Sequence, residues 1–208
     1  MSLPTGPGHA GRDPADTRDE AYTRRLQTLQ AVWWKRLLDV QAPYRWNLRR
    51  LHPGATLEVG CGLGRNLRAL GPGSVGIDHN ETSVAFARDL GFEAFTPEEF
   101  RATAYNEPGR FDSLLVAHVL EHMTLEEGRS LVGDYVDLVR SGGLLILITP
   151  QEAGYRRDPS HRTFVASEDL RELCSSLGAA VARSYSFPLP RTAGKIFFYN
   201  EFVVVGRR

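Results

Sequence analysis

The chain has 208 residues, 25 basic against 25 acidic, with 42% hydrophobic and 24% charged positions. Such a length buries a substantial core without disulfide staples and suits one α/β domain with appendages. The composition excludes collagenous and disordered classes, and zero net charge argues against a broad basic face that grips nucleic acid. Lys35 and Lys195 are the only lysines, so arginine supplies nearly all the cations, a bias that genome composition explains without a function.

Cys61 and Cys174 are too few for a disulfide framework. The longest clean apolar run, Leu144–Ile148, is far too short for a bilayer, and the N-terminus lacks the apolar core of a signal peptide. A cytoplasmic protein without a membrane partner is the expectation. Residues 1–17, rich in Pro, Gly and small polar residues, read as a disordered arm. Residues 18–53 read as an N-terminal helical cap, and residues 54–208 as the core.

In chain order, Leu26, Leu29, Trp33 and Leu37 form one apolar helical stripe. Pro43 ends or turns that helix, and a short helix from Tyr44 to Leu51 runs to the break at Pro53-Gly54. The segment Arg18–Arg50 carries a net charge of +5. It reads either as a solvated helix face or as a place where Arg45 and its neighbours meet an anionic ligand group. Strands are expected at Thr56–Val59, Ser74–Ile77, Glu93–Phe95, Phe111–Ala117 and Leu144–Thr149. Helices are expected at Asn66–Leu70, Thr82–Leu90, Pro97–Thr103, Leu125–Arg140 and Ser167–Leu177. The alternation specifies a parallel sheet covered on both faces. Val181–Phe187 and Phe197–Val205 have no obvious helix between them, which predicts an antiparallel hairpin at one edge and seven strands in all.

Thr56-Leu-Glu-Val-Gly-Cys-Gly-Leu-Gly-Arg65 runs a strand into three alternate glycines, Gly60, Gly62 and Gly64. Glycine there permits a sharp turn and lets a ligand lie on the main chain. Asp78, twenty residues beyond Glu58 at the end of the second strand, is placed to accept both hydroxyls of a ribose. The spacing differs from the dinucleotide fingerprint, whose third glycine would fall at Arg65. With Phe111-Asp112 and Ser141-Gly-Gly-Leu144 in order behind it, the motif resembles the class I S-adenosylmethionine (SAM)-dependent methyltransferases. The resemblance implies a Rossmann-like α/β fold: a seven-stranded sheet with an antiparallel last strand and helices on both faces. It also implies SAM as cofactor, with Gly60, Gly62 and Gly64 at its amino-acid portion and Asp78 on the ribose beside His79. Phe95 and Thr96 would border the adenine. Ala117 and His118 would face the sulfonium.

Ala117-His-Val-Leu-Glu-His-Met123 stands at the carboxyl end of the fourth strand, where open α/β sheets place ligands. A helical backbone would put His118, Glu121 and His122 on neighbouring surface, and the loop after strand five brings His161 to the same end. Convergent His and Glu groups are metal ligands or acid–base catalysts. The pattern resembles plant-type small-RNA 2′-O-methyltransferases, with ubiquinone-pathway O-methyltransferases similar at the same place. By that resemblance Glu121, His122 and His161 hold a divalent ion, Mg²⁺ or, by the softness of a nitrogen-rich set, Mn²⁺. His118, standing where the family has an acid, is the candidate catalytic residue. Against this, Leu-Glu-His is also common after strand four in class I methyltransferases without a metal, where the Glu caps a helix and the His lines the pocket.

A metal chelated by adjacent hydroxyls points to a small polyhydroxylated acceptor such as a sugar or glycoside, with His118 accepting the proton. Leu38–Leu48, His79–Ser83 and Tyr199–Phe202 are similar to a group of small actinobacterial methyltransferases that includes a sugar O-methyltransferase acting on methylmannosides. Trp33, Trp34, Tyr44 and Trp46 before the core read as helix packing or as an aromatic lid. A phenolic acceptor, an RNA ribose and a SAM sensor without transfer stay open; zero net charge and the lack of a separate RNA-binding domain weigh against the second. A homodimer is compatible with all of these.

Overall fold

A computed structural model describes residues 41–208, so the arm, the stripe Leu26–Leu37 and Trp33 and Trp34 lie outside the described residues. Helix α1 (Ala42–Arg49) leads into β1 (Thr56–Val59), β2 (Val75–Ile77), α2 (Glu81–Asp89), β3 (Ala94–Phe95) and α3 (Pro97–Arg101). The chain continues through β4 (Phe111–Ala117), α4 (Leu125–Val136), β5 (Val139–Pro150), α5 (Glu152–Tyr155) and α6 (Ser167–Ser176), and ends in β6 (Ala180–Phe187) and β7 (Glu201–Arg207). The seven strands form one sheet in the order β3-β2-β1-β4-β5-β7-β6. β1 to β5 are parallel, and β7 runs antiparallel between β5 and β6.

Strand period decides the layers, because successive side chains leave a strand on opposite faces. Leu114, Val116, Leu145, Leu147, Phe202 and Val204 enter one core with Phe100, Val132 and Leu170 from the helices. The alternate residues Leu115, Ala117, Ile146, Ile148, Val203 and Val205 enter the other, where α1 contributes Leu48. Two helix starts are legible in sequence. Thr96 and Thr124 each cap a helix, and Glu99 and Glu127 reach back to the cap amide. Among the described residues, no helix is long and apolar enough to cross a membrane.

Four expectations need correction. Asn66–Leu70 forms only a 3₁₀ turn at Leu67–Ala69, because Asn66 turns its side chain onto Glu58 and Gly71-Pro72 stops the helix. The helix expected to reach Arg140 ends at Val136, since Val139 is drawn into the sheet opposite Phe111. The backbone around His118 is not helical; His118 has φ +59° and only Leu120–His122 make a 3₁₀ turn. Finally, β7 begins at Glu201 rather than Phe197. Asn200 is the cause: its buried amide donates to Gln151 Oε1 at 3.0 Å and to Leu189 O at 3.1 Å, and its Oδ1 accepts from Leu189 N–H at 2.9 Å. That clasp holds Phe197–Asn200 as a turn and leaves Ile196, Phe198 and Tyr199 exposed.

Candidate functional site

The glycine turn leaves β1 with Gly60 at φ +77°, Gly62 at +52° and Gly64 at +76°, a left-handed path that favours glycine at all three positions. The three differ in what surrounds them. A Cβ on Gly60 would stand 2.2 Å from Val119 and one on Gly64 2.7 Å from Phe92, whereas one on Gly62 would meet nothing within 4 Å among the described residues. Gly62 therefore borders open space, as a backbone in contact with a ligand must. Asp78 is buried at the end of β2, where Oδ2 accepts from Gly62 N–H at 2.8 Å and Oδ1 from Asn80 N–H at 2.9 Å. It thus braces the glycine turn against the loop after β2. His79 is half exposed beside it. Phe95 packs on Phe100 and Tyr105, and the Thr96 hydroxyl is committed to its helix cap.

Glu58 is buried under the same turn, accepting from Asn66 Nδ2 at 2.7 Å through Oε1, while Oε2 has no hydrogen-bond partner among the described residues. Burial pushes its carboxyl up to about 8, against the Asn66 hydrogen bond and the nearby Arg65 charge. The folded chain therefore holds this proton where the unfolded chain releases it, so stability falls as pH rises from about 5 to 8. Glu58→Gln is expected to flatten that slope: in urea titrations the variant matches the wild type at pH 5 and exceeds it at pH 8, by about 3 kcal/mol. An equally steep slope in the variant would assign the pH dependence elsewhere.

Beside the turn lies a cavity of about 170 Å³, bordered by Tyr44, Arg65, Ala117, His118, Tyr199 and Glu201 among others. It opens where the parallel strands end and where the order steps from β1 to β4, the position at which open α/β sheets take ligands. Tyr44 Oη donates to Tyr199 O at 2.6 Å, and burial followed by the Glu201 charge raises its pKa, so it serves as a neutral donor. His118 Nε2 lies 2.7 Å from Glu201 Oε1 and its Nδ1 3.4 Å from Glu121 Oε1. Burial lowers the pKa of His118, but the Glu201 and Glu121 carboxylates outweigh it and push it up to about 10.

Behind His118 the structure brings together Glu121, His122 and His161, with one donor atom from each within 4.8 Å of the others. Glu121 is fully buried and neither carboxylate oxygen has a hydrogen-bond partner among the described residues. Its backbone carbonyl accepts from Arg162 N–H at 2.7 Å and Thr163 N–H at 3.1 Å, which delivers the loop after β5 and hence His161. His161 Nδ1 meets Tyr155 O at 2.8 Å, and His122 Nδ1 meets Ser160 O at 3.3 Å. Carbonyls accept only, so both rings carry their proton on Nδ1 and leave Nε2 as a lone-pair donor, the usual bracing of a metal-bound histidine. Burial lowers the pKa of His122, keeping it neutral as a ligand must be.

Of the residues singled out in the sequence, Ala117 and His118 border the cavity, the three glycines and Asp78 form the adjacent turn, and Glu121, His122 and His161 converge behind it. Phe95 and Thr96 lie off the cavity, at the end of β3. Trp46 stacks on Phe187 with half of its surface exposed. Sequence reasoning missed Arg65 at the cavity and gave Glu201 no role of its own, although the tail Phe197–Glu201 reads in sequence as a segment able to close one side of the pocket.

Residues 57–147 match the family model of a methyltransferase domain. Among curated relatives, the ubiquinone biosynthesis O-methyltransferase of Bordetella bronchiseptica is 27% identical over 154 residues, 65% of this chain and 63% of that protein. That of Azotobacter vinelandii is 29% identical over 148 residues, 63% of each. The chain thus spans somewhat under two thirds of the length of these relatives. Among solved structures, a SAM-dependent methyltransferase from Archaeoglobus fulgidus superposes with TM-score 0.63 at 18% identity, covering 79% of this chain and 93% of that one. Magnesium protoporphyrin IX methyltransferase from Synechocystis, solved with bound SAM, superposes with TM-score 0.59 at 16% identity over 97% of this chain and all of that one. Over residues 57–147 the chain is similar to a methyltransferase domain, and its sheet order and glycine turn agree with that likeness.

Proposed function

We propose that the chain transfers the methyl group of SAM to a hydroxyl of a small acceptor bearing two adjacent hydroxyls, a sugar or glycoside, aided by a divalent ion at Glu121, His122 and His161. The observation that carries this reading is the buried Glu121 carboxylate, without a hydrogen-bond partner among the described residues and faced by His122 and by His161, whose Nε2 lies 3.9 Å away. A buried carboxylate is costly unless cationic groups meet it; His118 Nδ1 at 3.4 Å faces one oxygen, and an ion would satisfy what that contact leaves. Two imidazoles and one carboxylate suit Mn²⁺ at least as well as Mg²⁺. Transfer to oxygen draws support from the relatives named as O-methyltransferases.

Bound there, such an ion supplies Lewis acidity toward a hydroxyl. The chain's own residues do the rest. The glycine turn holds the cofactor, the cavity orients the acceptor for in-line attack, and alignment supplies much of the acceleration. His118 stands at the cavity wall, where the hydroxyl proton must leave. Tyr44 and Tyr199 present aromatic rim surface, which favours a phenolic vicinal diol as the second reading.

The test is methyl transfer from SAM to a panel of methyl glycosides, catechols and simple phenols, with Mn²⁺, with Mg²⁺ and with excess chelator. The expected result is transfer to vicinal diols alone and its loss in chelator. Undiminished transfer in chelator, or equal rates on monohydric phenols, would reject the metal-assisted diol reading.

A further inference from the structure

We infer that Arg65 and Asn47 form a carboxylate-binding subsite of the cavity and select an acceptor that carries an acidic group beside its hydroxyls; the assignment to an acceptor rests on the reading above. Arg65 directly follows the glycine turn. Asn47 lies on α1, which turns Asn47 and Leu48 inward and packs against the 3₁₀ turn at Leu67–Ala69. The fold thus brings both residues to one cavity wall. Among the described residues, Gly60, Gly62 and Asp78 do not border that cavity. Arg65 and Asn47 therefore belong to the acceptor space rather than to the space over Gly62 proposed for the cofactor.

Both residues carry donors without a partner. Arg88, Arg140, Arg191 and Arg208 each pair with a carboxylate, whereas Arg65 is exposed and has no ion pair or hydrogen bond among the described residues. Asn47 is 1% exposed, and Tyr185 Oη donates to its Oδ1 at 2.9 Å. That contact fixes the amide and leaves Nδ2, with two hydrogens to give, without an acceptor among the described residues. Buried amides are seldom left so, because an unmet donor costs free energy that an acceptor restores.

The acids nearby are already matched. Glu201 Oε1 lies 2.7 Å from His118 Nε2, while Glu58 accepts from Asn66 Nδ2 and burial pushes its carboxyl up to about 8, so that it keeps its proton. The Arg65 charge is left for a ligand. A guanidinium offers paired N–H donors that fit both oxygens of a carboxylate, and an amide N–H adds one more. A sugar acid or an acidic catechol brings such a carboxylate together with a vicinal diol; a neutral glycoside brings the diol alone. SAM also carries a carboxylate, and the experiment separates the two sources.

The experiment is calorimetric titration of the full chain loaded with S-adenosylhomocysteine, with Mn²⁺ and again in excess chelator. The probes are methyl glucuronide against methyl glucoside, and protocatechuate against catechol. The wild type is expected to bind each acid about 10- to 100-fold more tightly than its neutral partner under both conditions. Arg65→Gln should lose that preference and Arg65→Lys keep part of it, since lysine retains the charge without the fork. Asn47→Asp, which replaces the donors by acceptors, should weaken the acids and leave the neutral probes as they were. A preference absent from the wild type, surviving in Arg65→Gln or seen only with Mn²⁺ overturns the proposal, as do acids bound by Asn47→Asp at wild-type affinity. S-adenosylhomocysteine affinity in Arg65→Gln is expected within roughly twofold of the wild type; a fall of about tenfold would give the arginine to the cofactor's carboxylate and overturn the assignment to an acceptor. The titration involves no turnover. Absence of methyl transfer to vicinal diols sinks the functional reading, whereas loss of the acid preference sinks this inference.

Discussion

Glu121→Ala is expected to bind no ion at this site and to be nearly inactive. Among the described residues both carboxylate oxygens lack a hydrogen-bond partner, so removing the group in the metal-free chain relieves a desolvation cost of about 1 to 3 kcal/mol. It also takes away the charge that His118 Nδ1 faces at 3.4 Å, and the melting temperature in chelator is expected to change little. The backbone carbonyl that ties residue 121 to Arg162 and Thr163 is untouched, so the loop carrying His161 keeps its anchor. Loss of a direct ligand should exceed the 10- to 100-fold cost usual for groups that merely brace one, giving a fall in kcat/KM of about 10²-fold or more. Calorimetric titration with Mn²⁺ and a melting curve in chelator check the two halves. A variant that still binds Mn²⁺ as tightly as the wild type would show that Glu121 serves packing rather than an ion.

Alanine at Gly60 and at Gly62 is expected to separate folding from cofactor binding. Both positions have positive φ, which costs an alanine roughly 1 to 2 kcal/mol. At Gly60 the new methyl also lands 2.2 Å from Val119, and overpacking of that kind adds roughly 1 to 3 kcal/mol. Gly60→Ala should therefore lose roughly 2 to 5 kcal/mol, or about 5 to 15 °C in melting temperature. At Gly62 the methyl meets no atom of the described residues within 4 Å and projects into the space proposed for the cofactor. Gly62→Ala is thus expected to melt only a few degrees lower while its affinity for S-adenosylhomocysteine falls about tenfold or more. Unchanged affinity in that variant would move the cofactor away from Gly62.

The sheet was legible because its information is local. Short continuous apolar runs mark β4 and β5, as strands buried on both faces require, and the glycine turn announces itself by a backbone path that other residues take at a cost. The spacing of His118, Glu121 and His122 was likewise visible, although the helix assumed to join them is absent. They meet because a left-handed residue followed by one 3₁₀ turn also compacts the segment. Asn66–Leu70 and Phe197–Asn200 misled for one shared reason. In each an asparagine side chain competes for partners outside its own segment, Glu58 in one case and Gln151 with Leu189 in the other.

By itself the sequence marked the strands, the glycine turn and all three clustered ligand candidates, Glu121 and His122 from their closeness in the chain and His161 from its place in the loop after the fifth strand. Tertiary structure decided what crosses long separations. The Glu121 carbonyl draws in the loop that carries His161, and the antiparallel setting of β7 turns a surface-like acid, Glu201, into the partner of His118. Strand order and direction set both, and neither leaves a periodic trace in a chain read one residue at a time.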